Sequence, residues 1–134
     1  MILVDAGPLV ALVDKADQNH LACVSVLKDL HQPLATVWPP LTEAMYHLAA
    51  FPKGQEAVWE MLDRGDLRLL PLDRDDFARM RELMRKYAGR SMDLADAALI
   101  RVAEREGIRR LFTVDRRDFS VYRLHERIRL SLIP

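Results

Sequence analysis

Four short segments of the chain are dominated by apolar residues: Ile2 to Val4, Leu34 to Val37, Leu67 to Leu70 and Leu111 to Val114. Each has the length and composition of a buried strand. Between them the period changes. Leu21, Val24, Leu27 and Leu30 recur at helical spacing from His20 to Leu30, and Phe77, Met80, Leu83, Met84 and Tyr87 mark one side of a helix predicted from Asp73 to Tyr87. Asp5, Ala6, Gly7 and Pro8 read as a turn with proline in position to start a helix that runs through Val13. Trp38, Pro39 and Pro40 read as a break, after which Thr42 is the expected cap of a helix from Glu43 to about Ala50. A further helix is expected from Gln55 to Leu62, ending near Gly65. Ser91 or Asp93 can cap a helix from Leu94 to Glu106, with Gly107 as its stop.

Strands that alternate with helices imply a parallel sheet, because parallel neighbours need crossover connections and right-handed crossovers cover both faces. The expected fold class is therefore α/β, a three-layer α/β/α arrangement with a central, mostly parallel sheet. With 134 residues and no repeat or long linker, the whole chain, 1–134, reads as a single domain.

Composition adds limits. Half of the residues are hydrophobic, yet no run is long or apolar enough to span a bilayer. The chain begins on an apolar strand rather than a basic segment with a long apolar core, and Cys23 is its lone cysteine, so a cytoplasmic protein without disulfides or cysteine-bound zinc is expected. The formal charge is zero, but the halves are biased in opposite directions. Residues 1–62 carry three basic and seven acidic side chains, and nearly all of the basic residues beyond them are arginine. Arginine suits phosphate, although solvated helix surface accounts for such a bias equally well. Arg116 and Arg117, beside an acidic residue at a strand end, are weak candidates for substrate contact.

The carboxylates give the sharper signal. In parallel sheets, sites form outside the carboxyl ends of the strands. Asp5 and Asp115 each stand one residue past a predicted strand, and Glu43 and Asp96 fall in the first turns of predicted helices that begin on the same edge. Taken singly, these acids serve as turn formers or favourable charges at helix N-termini. Brought together, they would raise one another's pKa and call for a cation. An all-oxygen donor set without paired His or Cys suits Mg²⁺ or Mn²⁺, and such an ion suits phosphodiester hydrolysis. The histidines, His20, His31, His47 and His125, are scattered without ligand or triad spacing.

The segments around the acids, VDAGPLVAL at residues 4–12, TEA at 42–44, DLADAALI at 93–100 and FTVDRRDF at 112–119, together resemble PIN-domain nucleases of the VapC toxin type. The resemblance spans essentially the whole chain. It implies an α/β/α PIN fold, endoribonuclease activity with Mg²⁺ or Mn²⁺, a homodimer and a cognate antitoxin. By residue it implies Asp5, Glu43, Asp96 and Asp115 as first to fourth catalytic, metal-holding acids. Asp118 is a rival or helper for the fourth, and Thr113 is the small hydroxyl residue beside it. Asp93 is either a helix cap or an outer member of the site. Two other readings stand beside the toxin: an RNA-processing PIN nuclease that is not a toxin, and a non-catalytic PIN-like module binding RNA or protein.

Overall fold

Ile2, Leu3 and Val4 are all fully buried, which a strand achieves only when both faces of its sheet are covered. The computed structural model describes residues 1–134. Its elements are β1 (Ile2–Val4), α1 (Ala6–Val13), α2 (His20–Asp29), β2 (Leu34–Thr36), α3 (Trp38–His47), α4 (Pro52–Arg64), β3 (Leu67–Leu69) and α5 (Arg74–Lys86). A single 3₁₀ turn at Ala88–Arg90 leads to α6 (Leu94–Glu106), β4 (Arg110–Phe112), α7 (Arg116–Phe119), β5 (Arg123–Leu124), β6 (Ile128–Arg129) and β7 (Ser131–Ile133). The main sheet has the order β3-β2-β1-β4-β7 with every pairing parallel, and β5 and β6 form a separate antiparallel hairpin. This is the α/β/α architecture expected from the pattern.

Alternate strand residues feed two cores. Ile2, Val4, Leu34 and Phe112 pack with Leu9, Leu41 and Val58 of α1, α3 and α4 and with Leu48 just past α3. Leu3, Ala35 and Leu111 pack on the other face with Leu83 of α5, Leu99, Ile100 and Val102 of α6, and Phe119 and Tyr122. On that face a buried carboxylate locks the helices. Asp76, 1% exposed, accepts from Arg101 Nε and Arg105 Nη1 of α6, both at 2.8 Å, and from the backbone N of Asp73, closing a reciprocal capping box. Burial alone would raise its pKa, but these donors outweigh burial and hold it below the ordinary carboxylate value. Asp76→Ala leaves Arg101 without its carboxylate, leaves Arg105 only its contact with Glu106, and opens the cap. A loss of about 3 kcal/mol in denaturant unfolding is expected, and a loss below about 1 kcal/mol would reduce the network to surface pairing.

Several elements differ from the sequence expectations. Trp38, Pro39 and Pro40 do not break the chain; they open α3, because proline fits the first helical positions, where no backbone N–H is needed. Thr42 is accordingly no cap, and its hydroxyl donates to the Trp38 carbonyl at 2.8 Å. Glu43 lies in the second turn of α3 rather than the first, and the helix stops at His47. The strand before Asp115 ends at Phe112, two residues earlier than expected, and α4 extends in both directions, to Pro52 and Arg64, with Gly65 in the left-handed conformation. The Phe77 stripe divides: Met80 and Leu83 are buried, whereas Phe77 is 64% exposed and lines an open apolar groove with Trp38, Met84 and Leu94.

Candidate active site

Parallel pairing brings the carboxyl ends of β1, β2 and β4 to one edge, and the acidic residues follow from it. Asp5 comes directly after β1 as the N-cap of α1, its Oδ1 accepting the Ala6 N–H at 2.8 Å. Its Oδ2 accepts the Thr113 hydroxyl at 2.9 Å, and the Thr113 oxygen in turn accepts the backbone N–H of Asp115 at 3.0 Å. One buried threonine thus joins the ends of β1 and β4. Asp115 caps the short α7, accepting the Asp118 N–H at 3.3 Å. Asp93 caps α6 by accepting the Asp96 N–H at 2.8 Å, which sets Asp96 in the first turn. Gly7 permits the close approach of the first and last of these segments, since a Cβ there would stand 2.5 Å from a methyl of Val114.

Asp5, Glu43, Asp96 and Asp115, together with Asp93 and Asp118, line one cleft of about 290 Å³ whose other walls are Ala6, Gly7, Ser91 and Val114. The four acids singled out in the sequence therefore share a cleft, and Asp118, the rival for the fourth, shares it too. Asp93 combines its two readings, being the cap of α6 and part of the cleft wall. Burial is the main cause of the site's electrostatics. It pushes Asp5 up to about 6, with Glu43 and Asp115 adding to the rise while the Ala6 N–H and Thr113 hydroxyl oppose it. Asp96 is pushed to about 7, by burial first and then by the charges of Asp93 and Asp5. Glu43 is half-exposed, with His47 Nε2 one turn away at 3.8 Å.

Two contacts escaped the sequence reading. Tyr122, wholly buried, directs its hydroxyl to Asp96 Oδ2 at 3.3 Å, and Arg90 reaches Asp118 at 3.4 Å from the rim. Burial, followed by the charges of Asp96 and Asp118, pushes the Tyr122 phenol well above its ordinary value, so it stays a donor. The sequence reading named neither residue; the three-residue spacing of Tyr122 from Phe119 is the one signal that could have marked it, as core, and nothing in the pattern marks Arg90. The substrate role considered for Arg116 meets a competing engagement, because its guanidinium donates to the carbonyl oxygens of Leu132 in β7 and of Pro134 just after it. Arg117 is exposed.

The PIN domain family profile matches residues 2–124. The chain belongs to the PIN domain family. This PIN domain is 29% identical over 136 residues to ribonuclease VapC26 of Mycobacterium tuberculosis, an alignment covering 99% of this chain and all of that protein. Its fold is similar to that of VapC20 of Mycobacterium tuberculosis, a sarcin-ricin loop cleaving toxin, with a TM-score of 0.79 at 18% identity over 87% of this chain and 92% of that one. It is also similar to VapBC2 of Rickettsia felis, solved on a DNA fragment from its promoter, with a TM-score of 0.67 at 17% identity over the full length of both chains. A toxin–antitoxin complex from Klebsiella pneumoniae matches with a TM-score of 0.66 at 16% identity, over 90% and 92% of the two chains.

The cleft of this PIN domain suits a hard divalent cation. Its charged side chains are all carboxylates, and Asp5 and Asp96 among them are raised towards neutral pKa by burial first and by neighbouring carboxylates second. No three Asp, Glu, His or Cys side chains are spaced to grip an ion directly.

Proposed function

We propose that this PIN domain is an endoribonuclease, the toxin of a type II toxin–antitoxin pair, and that it hydrolyses RNA phosphodiester bonds with Mg²⁺ or Mn²⁺ held by Asp5, Glu43, Asp96 and Asp115. The observation that carries the reading is the single cleft lined by six carboxylates, two of them pushed towards neutrality. Membership of the PIN family and the names of its VapC relatives support it. A divalent ion bound there supplies charge for the phosphate, a lower pKa for the attacking water and stabilisation of the leaving oxygen. The side chains do the rest. Asp5 is kept in one orientation by Thr113 and the Ala6 N–H, and Asp96 is set by the Asp93 cap. Arg90 at the rim and the exposed Arg117 are the guanidinium groups at hand for the RNA backbone.

The partners follow from the same surface. The open apolar groove of Trp38, Phe77, Met84 and Leu94 suits a protein partner, either a second copy in a homodimer or the apolar side chains of an antitoxin. In this reading the antitoxin has a tail that folds over the cleft and sets a basic side chain among Asp5, Glu43 and Asp96, excluding the metal. No helix is long and apolar enough to cross a membrane, and we assign the protein to the cytoplasm, with its RNA substrate.

The test is incubation of the purified protein with a panel of structured RNAs, with and without Mg²⁺ or Mn²⁺, followed by mapping of the cut ends. Cleavage at discrete positions only with metal is the expected result, and cleavage that survives chelation would overturn the metal assignment. In the same assay Asp115→Asn is expected to lose more than the ~10–100-fold typical of an outer-sphere partner, and Asp118→Asn less. The reverse order would make Asp118 the fourth acid.

A further inference from the structure

We propose that Tyr122 is a positioning residue of this site, its hydroxyl fixing the rotation of the Asp96 carboxylate so that the other oxygen is left to the cleft. The inference rests on the reading that Asp96 serves a bound cation. Its evidence is a buried polar group that packing does not account for. The Tyr122 ring is wholly buried and held edge-on by Tyr87, at 4.9 Å and 63°, and by Phe119, at 5.3 Å and 86°. Phenylalanine would fill that space equally well. A buried phenol must find a partner or cost stability, and this one reaches Oδ2 of Asp96 at 3.3 Å, the one side-chain donor to that carboxylate.

The arrangement repeats one already described. Thr113 holds Oδ2 of Asp5 as Tyr122 approaches Oδ2 of Asp96, and both donors come from residues 113–122, which run from the end of β4 to just past α7. The carboxylates they serve are the two that burial perturbs most strongly in the cleft. A single stretch of chain thereby sets both the buried Asp5 and the half-buried Asp96, and its aromatic packing gives the second donor a rigid base. At 3.3 Å the contact is long for O–H···O. Because the tyrosine would act on a cation only through Asp96, its effect should be read in metal binding.

The experiment compares Tyr122→Phe with the parent by Mn²⁺ binding, measured by calorimetry and electron paramagnetic resonance, and by cleavage over a range of Mn²⁺ concentrations. Mn²⁺ affinity is expected to fall about tenfold, within the range for outer-sphere partners. The Mn²⁺ concentration giving half-maximal cleavage should rise by the same factor, while kcat at saturating metal changes less. In an Asp96→Asn background the Tyr122→Phe change should have no further effect on Mn²⁺ affinity, because the two act as one unit. A merely structural tyrosine would lower thermal stability and leave metal affinity alone.

Parent-like Mn²⁺ affinity in Tyr122→Phe, with affinity lowered in Asp96→Asn, would overturn the role of Tyr122 and leave the nuclease reading standing. Unchanged binding in both variants would remove the cation reading and this proposal with it. Should Tyr122→Phe fail to fold, 3-fluorotyrosine at position 122 gives a second measurement. Its ¹⁹F resonance is expected to shift on Mg²⁺ titration, and a resonance that does not move would also overturn the proposal.

Discussion

Asp96→Asn is expected to abolish metal-dependent RNA cleavage while leaving the metal-free protein as stable as the parent at low pH and more stable at high pH. The substitution removes charge with little change of shape, so the Asp93 cap and the packing of α6 should survive. The effect on stability follows from the direction of the pKa shifts. Asp96 is raised from 3.8 to about 7 and Asp5 to about 6, so the folded state favours the neutral forms of both. That stabilisation is fully present below about 3.8, the unfolded value, and is lost as pH rises through the folded values. The metal-free parent should therefore lose stability from these two groups between about pH 4 and pH 7. The asparagine variant lacks the Asp96 part of this loss. Adding Mg²⁺ should restore the parent at pH 8 and restore the variant less. Thermal unfolding at pH 4 and pH 8, with and without Mg²⁺, checks each point, and a variant that cuts RNA at the parent rate would end the catalytic role of Asp96.

Thr113→Val should cost both activity and stability, and the two losses should share one cause. Thr113 is wholly buried, donates to Asp5 and accepts from the Asp115 N–H, so it connects the first and fourth acids through one oxygen. Valine keeps the shape but leaves the Asp115 N–H without its partner and Asp5 with one donor fewer. A loss of about 1–3 kcal/mol is expected for the unpaired group, together with a ~10–100-fold fall in cleavage as the carboxylates lose their orientation. The hydroxyl lowers the Asp5 pKa, so its removal raises that pKa further and the instability should be greatest above about pH 6. Thr113→Ser retains the oxygen and should recover most of the activity. Full activity in the valine variant would show that Asp5 needs no tether.

Much of the site was legible because its parts are local. An apolar triplet followed by aspartate reads as a strand ending in a turn wherever it occurs, and Asp93 before an apolar helix reads as a cap. Strand–helix alternation then forces a parallel sheet, which brings such endings to one edge. That logic placed Asp5, Asp96 and Asp115 correctly at the level of elements, although the strand before Asp115 is shorter than its apolar run. It reached the right edge for Glu43 from the wrong turn of helix, because Trp38-Pro39-Pro40 was read as a break when proline also suits a helix start.

What the sequence determined by itself was therefore the alternation, the caps and the acids at the carboxyl edge, since each depends on a few adjacent residues. The tertiary structure decided the rest, because each remaining feature joins groups far apart in the chain. Nothing near Arg110 shows that β7 will pair with β4 and draw Arg116 towards the C-terminal carbonyl oxygens, and nothing near Phe77 shows that it stays exposed beside Trp38. Thr113 meets Asp5 across 108 positions, and Tyr122 meets Asp96 across 26. Periodicity can assign a side chain to a core, but where its last polar atom comes to rest depends on how elements remote in sequence pack together.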